Sequence, residues 1–149
     1  MSRRKIESLE SLRGFANEIA GRAGSRFLLL LDGPMGAGKT QFTKFLIEAI
    51  GSSETVSPSF AIHNSYETRR GEVHHFDLFR LENGDDLEST GFWDLFSNEE
   101  AWMIIEWSAK LDEFGLSHQL PTTWPKLKLV FETDAHDSDA RWIEIKQLS

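Results

Sequence analysis

The stretch Leu28–Leu46, LLLLDGPMGAGKTQFTKFL, contains the pattern that decides the fold. The apolar run Phe27–Leu31 is apolar at every position, which suits a strand that is buried on both faces of a sheet. A glycine-rich turn follows Asp32, and from Phe42 onward apolar residues recur at helical spacing. A strand, a glycine-rich turn and a helix in this order favour a phosphate-binding loop. We therefore expect an α/β fold.

The glycine-rich turn matches the phosphate-loop pattern G-x-x-x-x-G-K-[ST] in full. Its glycines let backbone N–H groups point at an anion, and the following helix adds the positive end of its dipole. Lys39 can reach the β- and γ-phosphates, and the Thr40 hydroxyl suits Mg²⁺. The nucleotide-binding residues that we expect are Gly33, Met35, Gly36, Ala37, Gly38, Lys39, Thr40 and Gln41.

The kind of nucleotide is indicated by motifs that the sequence lacks. No N-K-x-D string is present, and no D-x-x-G follows the loop at the usual place, so the sequence favours ATP over GTP. A dinucleotide site fits less well, because a Lys-Thr pair after the glycines serves a triphosphate and a metal rather than a pyrophosphate bridge. We expect ATP and Mg²⁺ as cofactors.

Two acidic residues lie where predicted strands end, and the strand before Glu106 is an apolar run. Glu106 ends the run AWMIIE, and Asp77 ends VHHFD. The carboxyl ends of strands in such sheets lie beside the phosphate loop. We therefore expect Glu106, Asp77 and Lys39 to be catalytic, and Thr40, Glu106 and Asp77 to bind the metal. The two carboxylates can exchange roles: either can orient the attacking water while the other belongs to the metal shell.

The rest of the chain predicts further helices and strands around this centre. We expect one domain, residues 1–149, with a mixed β-sheet flanked by helices, as in P-loop NTPases. The expected elements are a helix over 6–23, a hairpin of strands over 61–67 and 73–78, two helical pieces over 84–96 broken near Gly91, a strand over 101–107, and two strands around Leu127–Phe131 and Ile143–Ile145.

Composition narrows the function. The chain has 149 residues and no cysteine, which excludes disulfides, thiolate metal sites and cysteine nucleophiles. Its formal net charge of −8 argues against a broad nucleic-acid-binding surface, so any RNA would be contacted mainly through a partner. The longest apolar run is too short to span a bilayer, and we expect a cytoplasmic protein with no membrane contact.

Four blocks occur in order with short spacers: GPMGAGKTQFTKFL, SPSFAIHNSYE, HHFDLFRLE and IIEW. This series resembles the TsaE (YjeE) family of small bacterial ATPases, over about residues 27–107. The resemblance implies a P-loop fold, slow Mg²⁺-dependent ATP hydrolysis that partners stimulate, and a role in the threonylcarbamoyladenosine (t6A) modification of tRNA. It also implies action with TsaD and TsaB, which the ATPase would reset while they carry out the transfer.

The resemblance also assigns residues. Lys39 and Thr40 match the phosphate and Mg²⁺ positions. Ser57 and Ser59 fall in the S-P-T-F switch of the family. The alternative interpretation of this stretch is an ordinary connecting loop. Arg80 falls in the D-L-Y-R block, where it would stabilise transition-state charge or pair with a partner's carboxylate unless it is a plain surface arginine. Trp107 would pack beside the nucleotide, form a docking surface or lie in the core.

The chain departs from the family pattern at three places. Pro34-Met35 replaces the usual acidic or amide residue and leucine, and proline removes one N–H from the loop. Ser59 replaces a threonine but keeps the hydroxyl, and Phe79 replaces a tyrosine and loses the phenol. No departure removes a group that Mg²⁺ or phosphate strictly needs.

Two other functions remain open. A small-molecule P-loop kinase is the main alternative, but such kinases usually carry an arginine-rich lid, and only Arg141 follows Glu106. A nucleotide-gated binding module without useful turnover is the third. A histidine metal site is disfavoured, because His74 and His75 are adjacent on a predicted strand and point to opposite faces.

Overall fold

The computed structural model describes residues 2–52, 62–98 and 100–148. Its strands are β1 (Ser2–Ile6), β2 (Phe27–Asp32), β3 (His63–Thr68), β4 (Gly71–Asp77), β5 (Ala101–Glu106), β6 (Lys126–Thr133) and β7 (Arg141–Leu148). Its α-helices are α1 (Leu9–Arg22), α2 (Lys39–Ala49), α3 (Gly84–Glu88) and α4 (Ala109–Glu113), and 3₁₀ turns cover Trp93–Ser97 and Ser117–Gln119.

The strands form one sheet in the order β1-β7-β6-β2-β5-β4-β3. The central strands β6, β2, β5 and β4 run parallel, whereas β1, β7 and β3 pair antiparallel with their neighbours. The predicted α/β fold with a mixed sheet is therefore confirmed. Every residue of β2 and β5 is buried, as the continuous apolar runs indicated.

The core lies on both faces of the sheet. Because successive side chains of a strand point to opposite faces, Leu29 and Leu31 pack with the residues of α1 and α2. Leu28 and Leu30 pack on the other face with Leu87 of α3 and other apolar side chains. Full burial of one such leucine contributes about 2 kcal/mol, so the two clusters hold β2 rigidly at the centre.

The predicted helix over residues 6–23 is wrong at its start, because Ser2–Ile6 forms an edge strand paired with β7. Ile6 is buried from this strand, which explains why it fitted the apolar stripe of the helix. The helix begins after Ser8, which has an extended φ of −155° and whose hydroxyl accepts a hydrogen bond from the Ser11 backbone N–H at 3.1 Å.

The remaining elements follow the predictions with small shifts. The antiparallel hairpin is present as β3 and β4, although residue 61 at its predicted start lies outside the described residues. The two helical pieces are α3 and the 3₁₀ turn at Trp93–Ser97, with Gly91 between them at a φ of 80°. The predicted strands before and after residues 133–140 are β6 and β7.

The topology brings the ends of several strands to one edge of the sheet. Asp77 lies opposite Glu106, and Glu106 lies opposite Leu31 at the end of β2. On the other side of β2, Thr133 ends β6 opposite Arg141, the first residue of β7. This edge therefore gathers the glycine-rich turn, both predicted acids and the start of β7. Within the described ranges, no helix has the length and apolar character needed to cross a bilayer.

Candidate functional site

A cavity of about 410 Å³ opens at this edge of the sheet. It contains residues of the glycine-rich turn, both predicted acids and Trp107, and it also contains residues that the sequence did not suggest. The side chains and backbone that line it belong to Leu9, Met35, Gly36, Gly38, Lys39, Thr40, Gln41, Asp77, Phe79, Glu106, Trp107 and Arg141.

The backbone of the turn is one that only glycine adopts easily. Gly33, Gly36 and Gly38 have φ values of 138°, 85° and 105°. A Cβ on Gly33 would also overlap the carbonyl oxygen of Phe131 in β6. No side chain caps the N-terminus of α2, so its first N–H groups remain available to an anion.

Lys39 lies buried beneath the cavity. Its Nζ donates to the carbonyl oxygen of Gly33 and lies 3.7 Å from the centroid of the Trp107 ring. Burial lowers the pKa of Lys39, and nearby carboxylates, led by Glu106, oppose that shift. The ammonium is thus held by a carbonyl and an aromatic face at the loop, where a phosphate would offer it stronger acceptors.

Trp107 lines the cavity and is also packed against one of the two core clusters. Its φ of 60° is rare for a bulky residue, and its backbone N–H donates to the carbonyl oxygen of Leu31 at 2.8 Å. Its ring packs against Phe79, with centroids 4.8 Å apart. The strained backbone therefore turns the indole over Lys39 immediately after Glu106.

Glu106 is 1% exposed, and both of its carboxylate oxygens are held. The Thr40 hydroxyl donates to Oε1 at 3.0 Å, and Nε2 of His75 donates to Oε2 at 2.5 Å. Because each oxygen has its own donor, the carboxylate has one orientation, directed at the start of α2. His75 is a site residue that sequence reasoning missed. The signal was available, since His75 lies two residues before Asp77 on the same face of β4.

Asp77 lies beside Glu106 in the strand register. Its Oδ1 accepts a hydrogen bond from the Phe79 N–H at 3.0 Å, which fixes the turn after β4. Two carboxylates and the Thr40 hydroxyl are oxygen ligands of the kind Mg²⁺ prefers. Within the described ranges, no group of three or more histidine, cysteine or acidic side chains is placed to hold a metal ion.

The other two histidines of the hairpin form a separate cluster. Nε2 of His63 and Nδ1 of His74 are 2.9 Å apart, and His74 also lies 3.4 Å from a carboxylate oxygen of Glu72. His63 stacks on Phe76 with ring centroids 4.3 Å apart. His74 and His75 therefore have different partners, as their adjacent positions on a strand predict.

The residues predicted to act in a switch or in partner contacts are Ser57, Ser59, Arg80 and Trp107. Ser57 and Ser59 lie outside the described residues. Arg80 is exposed in the turn after β4 and does not line the cavity. Of the two members of this group that the structure describes, Trp107 is the one that lines the cavity.

Asp32 connects the end of β2 to the segment after Glu106, a role that the sequence did not suggest. Its carboxylate accepts hydrogen bonds from the Ser108 hydroxyl at 2.5 Å and the Ala109 N–H at 2.8 Å. Nζ of Lys128 lies 3.5 Å from the same carboxylate. These contacts fix the position of Glu106 relative to the glycine-rich turn.

Comparison with known proteins identifies the family. The model of the family described as threonylcarbamoyl adenosine biosynthesis protein TsaE matches residues 6–141. The chain belongs to the TsaE family. Relatives named tRNA threonylcarbamoyladenosine biosynthesis protein TsaE include one from Haemophilus influenzae that is 34% identical over 79% of this chain and 68% of its own length. Another from Bacillus subtilis is 31% identical over 86% of this chain and 75% of its own.

A solved structure supports the same assignment of fold. The crystal structure of Bacillus subtilis YdiB is similar to this chain with a TM-score of 0.71 and 25% identity. The match covers 99% of this chain and 86% of that one. The predicted P-loop fold and the predicted resemblance to TsaE proteins, whose family is named for tRNA threonylcarbamoyladenosine biosynthesis, are both confirmed.

Proposed function

We propose that this chain is an Mg²⁺-dependent ATPase that serves the threonylcarbamoyladenosine modification of tRNA. The observation that carries the proposal is the Glu106 carboxylate, which Thr40 and His75 hold by separate oxygens beside Lys39. A buried carboxylate in one orientation next to a phosphate loop is suited to positioning water for attack on a terminal phosphate. Family membership supplies the tRNA pathway.

The residues divide the work of hydrolysis among them. N–H groups of the loop and of α2 bind the phosphates, and Lys39 leaves Gly33 and Trp107 to contact them. Mg²⁺, held by Thr40 and Asp77, would neutralise charge on the phosphate oxygens. Glu106 orients the water and accepts its proton. We assign Asp77 rather than Glu106 to the metal shell, because the two donors on Glu106 fix it for a directional role.

We propose that homologues of TsaD and TsaB are the partners and that hydrolysis resets their complex. Two exposed apolar side chains support a docking surface at the cavity mouth: Met35 is 70% exposed and Phe79 is 41% exposed. The net charge of −8 supports tRNA contact through the complex rather than through this chain. We place this work in the cytoplasm, where tRNA is modified.

Phosphate release from Mg·ATP, measured with and without the TsaD–TsaB pair of the same source, tests the proposal. We expect slow release by the chain alone and faster release with the pair, together with association of the three proteins. The kinase alternative predicts a phosphorylated acceptor in place of free phosphate. No release under either condition, with no association, would contradict the proposed function.

Two variants separate hydrolysis from binding. Lys39→Ala should lose both nucleotide binding and turnover, whereas Glu106→Gln should keep binding and lose turnover. If Glu106→Gln still supports tRNA modification in the presence of its partners, the chain acts as a nucleotide-gated binding module, and hydrolysis is not its function.

A further inference from the structure

The cavity has a second cationic side chain besides Lys39, and it comes from the far end of the sequence. Arg141 begins β7, where its register opposite Thr133 and Ile6 fixes it at the same edge as the glycine-rich turn. Its guanidinium reaches Gly38: a Cβ built on that glycine would overlap Nη1 and lie 3.2 Å from Cζ. Arg141 is therefore in contact with the loop.

The donors of Arg141 are incompletely used by the described part of the chain. Its Nε is buried and has no hydrogen-bond partner there. No carboxylate in those ranges lies within ion-pair distance of it, although the chain has 24 acidic and 16 basic residues. A buried donor without an acceptor costs free energy, so a ligand of the cavity that supplies an acceptor would gain from Arg141.

The strand order indicates which part of a nucleotide lies near Arg141. On one side of β2, Thr40 and Glu106 mark the metal end of the triphosphate, because β5 and β4 are on that side. Arg141 is on the other side, beyond β6. Glu106 and Arg141 line the same cavity, so a nucleotide that fills it with its γ-phosphate at Glu106 would extend its nucleoside toward β7.

A second group at this end is apolar. Leu9, the first residue of α1, is 56% exposed and lines the same cavity. A base has two apolar faces and a rim of hydrogen-bond acceptors, and the ribose adds hydroxyl oxygens. A leucine and a planar guanidinium complement those features, since arginine stacks on aromatic faces and donates from its edge.

We infer that Arg141 and Leu9 hold the nucleoside of the bound nucleotide, with the Arg141 guanidinium against the base and its edge donors available to acceptors of the base and ribose. This inference rests on the proposed function, because it needs a nucleoside triphosphate in the loop. It assigns Arg141 to affinity for the nucleoside and not to stabilisation of charge on the transferred phosphate.

Calorimetric titration with two ligands, Mg·ATP and Mg·tripolyphosphate, tests the inference. Tripolyphosphate has the phosphates but no nucleoside. Arg141→Ala should weaken ATP binding about 10-fold, within the range measured for loss of one base-stacking side chain, and weaken tripolyphosphate binding much less, because there only the attraction of its charge is lost. Arg141→Lys should not restore ATP binding, because lysine keeps the charge but lacks the plane. Arg3→Ala is the matched control, since Arg3 pairs with Glu132 away from the cavity.

Each other outcome is decisive. Equal weakening of both ligands would show that Arg141 binds phosphate, and it would overturn the inference while leaving the proposed function intact. Unchanged ATP binding, or rescue by lysine, would also overturn it. Failure of the unmodified chain to bind ATP would remove the proposed function and this inference together. Retained tripolyphosphate binding by Arg141→Ala shows that the variant is folded at the loop.

Discussion

The two sides of the phosphate loop are built in different ways. On the side of β5 and β4, each functional acid ends a largely buried strand, so Glu106 and Asp77 are fixed by the segments that precede them. On the side of β6 and β7, Arg141 reaches the loop from a strand that is distant in sequence, across a hairpin register. Local sequence therefore encodes the acidic side, and tertiary pairing creates the other.

The difference bears on function as well as on folding. The acidic side has a hydrogen-bonded chain of Thr40, Glu106 and His75, which suits catalysis because its geometry is fixed. The opposite side has an exposed leucine and a cation with one donor that the described residues leave without an acceptor, which suits affinity. Variants on the two sides should therefore affect different measurements.

The strongest test of the difference between the two sides is to remove the charge of Glu106. Glu106→Gln should reduce phosphate release at least about 100-fold, because the amide cannot accept the water's proton, while ATP binding changes little. Steady-state phosphate release and calorimetry measure the two effects. Glu82→Gln, at an exposed position in the loop after β4, is the control. Normal turnover by Glu106→Gln would remove the acidic side from the mechanism.

The importance of the contact between the loop and β6 is tested by comparing alanine substitutions at two glycines of the loop. Gly33→Ala should destabilise the fold by about 3 kcal/mol, because its φ is 138° and the new methyl meets the backbone of Phe131. Gly36→Ala should cost only about 1 kcal/mol, since its φ is 85° and, among the described residues, none beyond its chain neighbours comes within 4 Å of the added methyl. Urea unfolding measures both, and equal losses would show that Phe131 does not restrain the loop.

The hydrogen bond from His75 is tested with a matched pair of variants. His75→Asn should lower turnover about 10-fold, because asparagine is too short to replace Nε2 and Glu106 loses its orientation. His75→Gln should recover part of the loss, since its amide reaches further. The control is His74→Asn on the neighbouring residue, whose partners are His63 and Glu72. Equal effects at His74 and His75 would point to general damage to β4.

How much the sequence could predict depends on the reach of each interaction. The burial of Phe27–Leu31 and the acids at Asp77 and Glu106 were predictable, because apolar runs and their ends are local patterns. β1 was not, since its residues Ser2–Lys5 are exposed and polar, and β7, the strand with which it pairs, is distant in sequence. Asp32 was missed because its partner Ser108 is 76 residues away, whereas the position of His75 on the face of Asp77 was a usable signal.

The smallest expected effect concerns stability at low pH. Burial, with His74 and His75 nearby, lowers the pKa of His63. A lowered pKa in the folded state means that its stabilisation is present above the ordinary value of 6.5 and is lost as pH falls through the folded value. His63→Phe keeps the stacking on Phe76. It should make the decline of the unfolding free energy below pH 6.5 less steep than in the exposed control His136→Gln.

We expect this change to be under about 1 kcal/mol, because the His63 ring is partly exposed and solvent screens its charge. Urea unfolding at a series of pH values measures it. An unchanged pH dependence in His63→Phe would show that the cluster of His63 and His74 does not contribute to acid sensitivity.

The central claim, that this cavity is an ATP site with its metal on the acidic side, is tested most directly by calorimetric titration of ATP with and without Mg²⁺. We predict saturable binding of one ATP per chain by the unmodified protein, weaker binding after Mg²⁺ is chelated, and none by Lys39→Ala. Undetectable binding by the unmodified protein, or identical binding by Lys39→Ala, would contradict the account.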